Sequence, residues 1–512
     1  MGSMKAPYYP IIYVRGYAGS EQAVEETVAT PYMGFSDGAT KVRQHWTGSV
    51  KRHFFESPLI RLMKDYGYRD IYQDGRVIDS DTQIDPKSVI IYRYYDQVSE
   101  ELGDGDRPDI PVFAKGLGEL IAKVRDQVCL GNSQSQNDFK VYLVAHSMGG
   151  LICRAFLQNP PEGTADTRQF VDKVFTYATP HNGIDLRLIN NVPGFFTRNN
   201  AHNFNRGYMA KYLGLRDEND HGPAPKRVDS LNNAFDPQRF FSLVGTNHKD
   251  YTVASGWSRR AVGPMSDGLV RISNATVRKT PRAFVHRSHS GHYGIVNSEE
   301  GYQNLTRFLF GDVRVDGVLE VKDITLPPRI QRAKDDDKTI RASYHFETIV
   351  RPRGALYDLS RRIVDEGSAV FRSFDEMCRP EKCGLDHPRH PHLFSTYLSA
   401  RHRTRSQGAL VFSIDLRVQI PEYEIDGFLF LDDHIKGSTL YDETIHLAVD
   451  RDDNDEWFVR YGFDSVTPGR PGRTKAERIS MDGSTVFSIP IESSRKPGIN
   501  ANLQLTARSW NS

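Results

Sequence analysis

Two patterns of apolar and polar positions divide the chain. Over the first three hundred residues, short unbroken apolar runs alternate with stretches of helical spacing. Residues 10–14 (PIIYV), 88–95 (SVIIYRYY), 141–144 (VYLV), 174–178 (VFTYA), 240–245 (FFSLVG) and 283–286 (AFVH) predict strands buried on both faces. Between them, residues 59–68 after Ser57-Pro58, 112–130 before Gly131, 151–159 before Pro160-Pro161, and 299–310 predict helices. That alternation predicts a parallel, doubly wound sheet. From residue 313 onward the pattern changes to alternating, aromatic-rich runs: 340–350, 409–420, 428–431, 444–449, 456–463, 485–491 and 501–507. Such runs, separated by Gly, Pro and Asp, predict an antiparallel β-sandwich. The expected organisation is therefore a domain over 4–312, with an insertion at about 184–238, and a sandwich over 313–512. The insertion holds Leu188, Ile189, Val192, Phe195 and Phe196, which suits a cap better than a disordered loop.

Charge narrows the classes of partner. Lys and Arg total 66 against 65 for Asp and Glu, which argues against nucleic acid as a partner. No apolar run reaches the length needed to span a membrane. Four cysteines in 512 residues do not make a disulfide framework. Met1-Gly2-Ser3 reads as an appended scar before a native Met4, and Lys5-Ala6-Pro7-Tyr8 is not a signal sequence. A cytoplasmic location is expected, with secretion lacking a cleaved signal left open.

The candidate chemistry centres on residues 141–150, VYLVAHSMGG. A buried strand, a turn of small residues and a helix form the setting in which a serine stands exposed at the top of a sheet. Ser147 is the expected nucleophile; Ala145 and Gly149 supply the small flanks, and His146 reads as structural. After the first strand, Arg15-Gly16-Tyr17-Ala18-Gly19 can aim a backbone N–H at an oxyanion, assigned to Tyr17, and Met148 supplies the second donor. Asp267, in SDGLV, is the expected acid, with Asp250 as the runner-up. Two histidines, His289 and His292, stand in the loop after the last strand. Either gives the chain order Ser, Asp, His expected of an α/β hydrolase.

AHSMGG, SDGLV, GHYGIVNSEE and YATPHNG resemble the corresponding stretches of the bacterial true-lipase group of α/β hydrolases. The resemblance covers residues 8–310 and implies an α/β-hydrolase fold, with Ser147, Asp267 and His292 as the catalytic set. His292 is preferred over His289 because Ile295, Val296 and Asn297 follow it at the family's spacing. The group usually carries His-Gly where this chain has Arg15-Gly16. The implied activity is hydrolysis of acyl esters or lipids through an acyl-enzyme, without metal or organic cofactor. A phospholipase or acyltransferase with the same triad is an alternative, and a scaffold built on a catalytically dead fold is another.

In the second half, 334–338 and 452–455 read as solvated acidic loops. One stretch, CRPEKCGLDHPRHPH, gathers Cys378, Cys383, His387, His390 and His392. These residue types suit zinc, but their spacing matches no zinc pattern, and a plain loop is expected. Cys129 and Cys153 are expected in the core. The sandwich is expected to dock a substrate, a surface or a partner.

Overall fold

The computed structural model describes residues 4–511 apart from 17–20, 31, 36–38, 45–46, 56, 74–75, 78–81, 101–107, 131–135, 185–200, 218–219, 221, 252–261, 292, 354, 385, 404–407, 427–432, 453, 455, 482–483 and 494. The chain divides into two compact units, Met1–Phe310 and Gly311–Ser512.

The first unit is built on seven strands: β1 (Ile11–Val14), β2 (Arg69–Asp70), β3 (Ser88–Tyr92), β4 (Val141–His146), β5 (Val171–Tyr177), β6 (Phe240–Gly245) and β7 (Arg282–Val285). They pair in the order β7-β6-β5-β4-β1-β3-β2, every neighbour parallel. All four residues of β1 and all six of β6 are buried, as the unbroken apolar runs require. The order reverses direction beside β1 and β4, and such a switch point opens a crevice at the carboxyl ends of the strands. Four longer helices accompany the sheet: α1 (Pro58–Tyr66), α2 (Ile110–Val128), α3 (Met148–Gln158) and α5 (Glu299–Phe310). Ser57 caps α1 by accepting from the Ile60 N–H.

Several boundaries differ from the sequence expectation, among them the strand expected at 174–178, which begins at Val171. The strand at 88–95 ends at Tyr92, and Tyr95 begins a short helical turn. The hydroxyls of Tyr94 and Tyr95 instead reach the carbonyls of Arg15 and Gly16, at 2.8 and 2.7 Å. Helix α3 starts at Met148, three residues earlier than its apolar periodicity suggests. Of the insertion, the structure describes a 3₁₀ turn, Ala201–Phe204, and helix α4 (Arg206–Tyr212). The apolar residues singled out at 188–196 lie outside the described residues, as does Gly131.

The second unit holds two antiparallel sheets. One runs His392–Leu398, Val313–Thr325, Gly498–Ser509, Ser484–Glu492, Glu477–Met481. The other is centred on Ile340–Pro352, Leu410–Gln419, Thr439–Arg451 and Trp457–Phe463. Leu410–Gln419 buries alternate residues, the period-2 pattern of a strand with one face in the core. Leu319, Ile489 and Leu503 from the first sheet share one core with Phe346, Ile414 and Leu447 from the second. This is the expected β-sandwich architecture. The run at 428–431 lies outside the described residues. Among the described residues, no helix is long and apolar enough to cross a membrane.

Candidate active site

Ser147 occupies the turn between β4 and α3 with φ 52° and ψ −124°, a conformation costly for a residue with a Cβ. Neighbouring backbone holds it there: its N–H donates to the Tyr177 carbonyl at 2.9 Å, and its carbonyl accepts from Gly150 at 3.1 Å. A side chain at Gly149 would run into the carbonyls of Val14 and Arg15, so the turn can form only if that position is bare. Gly16 lies equally close, since a Cβ there would stand 2.6 Å from the Ser147 Cβ. Gly149→Ala is therefore expected to destabilise the fold by about 1–3 kcal/mol, read as a lower midpoint in denaturant. An unchanged midpoint would contradict this close approach.

Three side chains line up at the serine. His289 Nε2 is 3.0 Å from Ser147 Oγ, and His289 Nδ1 is 2.9 Å from Asp267 Oδ2. The other oxygen of Asp267 accepts the N–H groups of Leu269 and Val270 at 3.0 and 2.7 Å. With Asp267 ionised, Nδ1 carries the proton and Nε2 presents its lone pair to the serine hydroxyl. All three are buried: Ser147 is 6% exposed, His289 3% and Asp267 1%. Water competes little for these bonds.

The two candidate histidines differ in what the structure describes of them. His292 lies outside the described residues, and the ring between Ser147 and Asp267 is that of His289, the alternative. The His289 N–H also donates to the Asp267 carbonyl at 2.9 Å, which locks the two loops together at the backbone. Two residues earlier, Arg287 makes a bidentate ion pair with Glu300 on α5, both groups nearly buried. This pair anchors the loop that carries His289. Asp250 is engaged elsewhere, accepting from the Asn247 side chain at 2.6 Å.

His146 has a positional part. Its Nε2 is 3.0 Å from the carbonyl of His289, and the two rings lie 5.0 Å apart. Burial, then the neighbouring His289, pushes its pKa well below the usual histidine range. The neutral ring then carries its proton on Nε2 and donates it to that carbonyl. The Tyr251 ring stands edge-on to His289 at 5.8 Å. Neither contact could be found from spacing in the sequence.

Of the two expected oxyanion donors, Met148 is the first residue of α3, where amide groups have no partner within the helix. Tyr17 lies outside the described residues. The loop before it is described, and its carbonyls at Arg15 and Gly16 are held by the two tyrosine hydroxyls.

The cysteine and histidine cluster does not converge. Cys378 is buried against the Tyr344 hydroxyl at 3.2 Å, and Cys383 approaches the Arg379 carbonyl. His387 and His390 stack on each other, while His392 pairs with Ser395. Among the described residues, no three His, Cys, Asp or Glu side chains are grouped to hold a metal ion. Cys129 and Cys153 are buried, and neither is joined in a disulfide.

Residues 113–277 match the family described as the PGAP1-like alpha/beta domain. The match spans the elbow and Asp267 and ends before His289. The first unit has the α/β-hydrolase fold. No curated protein matches the chain. Among solved structures, this hydrolase-fold chain is similar to the Bacillus licheniformis lipase BlEst2. For the mature form the identity is 15%, over 60% of this chain and 92% of that one, with a TM-score of 0.32. For its propeptide form the identity is 12%, over 89% and 97%, with a TM-score of 0.33. The phospholipase PlaB from Legionella pneumophila is 13% identical over 85% of this chain and 91% of its own, with a TM-score of 0.33.

Proposed function

We propose that this chain is a serine carboxylic-ester hydrolase acting on acyl esters through an acyl-enzyme. The observation that supports the reading is the hydrogen-bonded line from Ser147 through His289 to Asp267. In the proposed reaction Ser147 Oγ attacks the acyl carbonyl while His289 Nε2 takes the hydroxyl proton. Asp267 holds the ring in the required tautomer and stabilises the imidazolium. The Met148 N–H and, from the sequence, the Tyr17 N–H receive the oxyanion; one such donor is typically worth ~3 kcal/mol. The alcohol leaves with the proton from His289, and water then releases the acid by the same steps.

A fluorophosphonate tests the reading directly. We expect one probe per chain, attached at Ser147, and none on Ser147→Ala. An unlabelled wild-type protein would favour the scaffold alternative. A panel of esters differing in acyl length and head group then separates esterase, lipase and phospholipase.

A further inference from the structure

Arg154 is a charged residue on the nucleophile helix α3, and it is completely buried. Its guanidinium donates to four oxygens: Gln158 Oε1 at 2.9 Å, the His181 carbonyl at 2.7 Å, and the Val228 and Ser230 carbonyls at 2.8 Å each. Gln158, one turn further along, donates to the carbonyls of Leu213 and Ser230 at 3.1 and 3.0 Å. These oxygens have a pattern. His181 stands just before the insertion at 184–238, Leu213 follows α4 within it, and Val228 and Ser230 lie on its returning arm.

Asn182 closes the same knot. Its carbonyl accepts from Arg206 at 2.9 Å and its side-chain oxygen from the Val228 N–H at 2.8 Å. Its amide nitrogen donates to the Asn274 side chain at 3.0 Å. The segment that starts the knot also adjoins the catalytic turn, because a Cβ on Gly150 would meet the side chain of Thr179.

We infer that Arg154 and Gln158 are positioning residues that clamp the described arms of the insertion, 201–213 and 228–231, onto the nucleophile helix, and that these arms form a fixed wall that selects the acyl group reaching Ser147. The energetics favour a clamp. A buried guanidinium is costly unless its donors are satisfied, and here the oxygens that satisfy it belong largely to the insertion and its feet. Lifting the insertion would break three of those bonds together, to His181, Val228 and Ser230. Burial lowers the pKa of Arg154 only to about 10, so the charge and its donors persist at neutral pH.

The part of this inference that concerns acyl selection rests on the ester-hydrolase reading; the clamp itself does not. Hydrogen exchange on the full chain tests the clamp. In Arg154→Met, amides at 206–213 and 228–231 should exchange at least ~10-fold faster, while those at 141–146 stay within about twofold. Arg154→Lys should recover only part of the protection, since an ammonium cannot reproduce the planar fork. Unchanged exchange in the insertion, or an equal rise at 141–146, would overturn the clamp. If Arg154→Met gives no folded protein, Gln158→Ala is read the same way, because it removes the bonds to Leu213 and Ser230 from a partly exposed site.

The second measurement compares p-nitrophenyl octanoate with the acetate. The KM for octanoate should rise about fivefold more than that for acetate, with the two kcat values changing in parallel. Equal changes in KM would overturn the role in acyl selection. Should wild-type protein turn over no ester, the ester-hydrolase reading fails, and the exchange result still decides the clamp.

Discussion

His289→Ala is expected to lower kcat/KM for an activated ester by roughly 10⁴–10⁶-fold, as much as Ser147→Ala, and the double variant should fall no further. The reason is the shared proton. In the proposed reaction Ser147 is a poor nucleophile until His289 Nε2, 3.0 Å away, accepts its hydrogen, so removing either partner would end the same step. His292→Ala should retain most of the turnover. Steady-state kinetics on these four proteins, with folding checked by circular dichroism, gives the ranking. Full activity in His289→Ala alongside a dead His292→Ala would return the base to His292.

The choice between those histidines shows where a sequence stops being informative. The elbow is legible because its determinants are local: an apolar strand, a bare Gly149 and a helix within eighteen residues. Asp267 is legible for a similar reason, since the amides that fix it belong to Leu269 and Val270. The base is not. His289 is placed by a backbone bond to Asp267 and by the Arg287–Glu300 pair, contacts between residues 22 and 13 positions apart. Spacing within the loop carries no trace of them.

Other differences have the same origin. The start of α3 reads late because two glycines follow Met148, and glycine has poor helix propensity. They are helical because only bare positions fit against Val14, Arg15 and Thr179. Tyr94 and Tyr95 have strand propensity, yet leave the sheet to reach the carbonyls of Arg15 and Gly16. Arg154 is the clearest omission. A lone arginine in LICRAFLQN passes for the solvent face of an amphipathic helix, whereas that face is covered by the insertion. The available signal was Gln158, four residues on, which makes a polar pair on one side of the helix. In the second half, alternation picked out strands such as Leu410–Gln419, because one buried face imposes period 2 whatever the topology, but it did not pick out Val313–Thr325, His392–Leu398 or Glu477–Met481.

Asp267→Asn should cost about 10⁴-fold in kcat while leaving the fold and the positions of Ser147 and His289 unchanged. The size follows from how the carboxylate is held. One oxygen accepts two backbone N–H groups, from Leu269 and Val270, and the other faces His289 Nδ1 at 2.9 Å. An asparagine has one acceptor and one donor to offer those two places. Its NH₂ cannot face the two amides, so its carbonyl oxygen takes that side and its NH₂ is turned toward Nδ1. Nδ1 must then accept, which moves the imidazole proton to Nε2, the nitrogen that has to receive the proton of Ser147. The ring keeps its place and loses its function as base. Nitrogen-15 NMR of His289 should show the proton on Nδ1 in the wild type and on Nε2 in the variant. A variant with wild-type kcat, or with the proton still on Nδ1, would sink the argument.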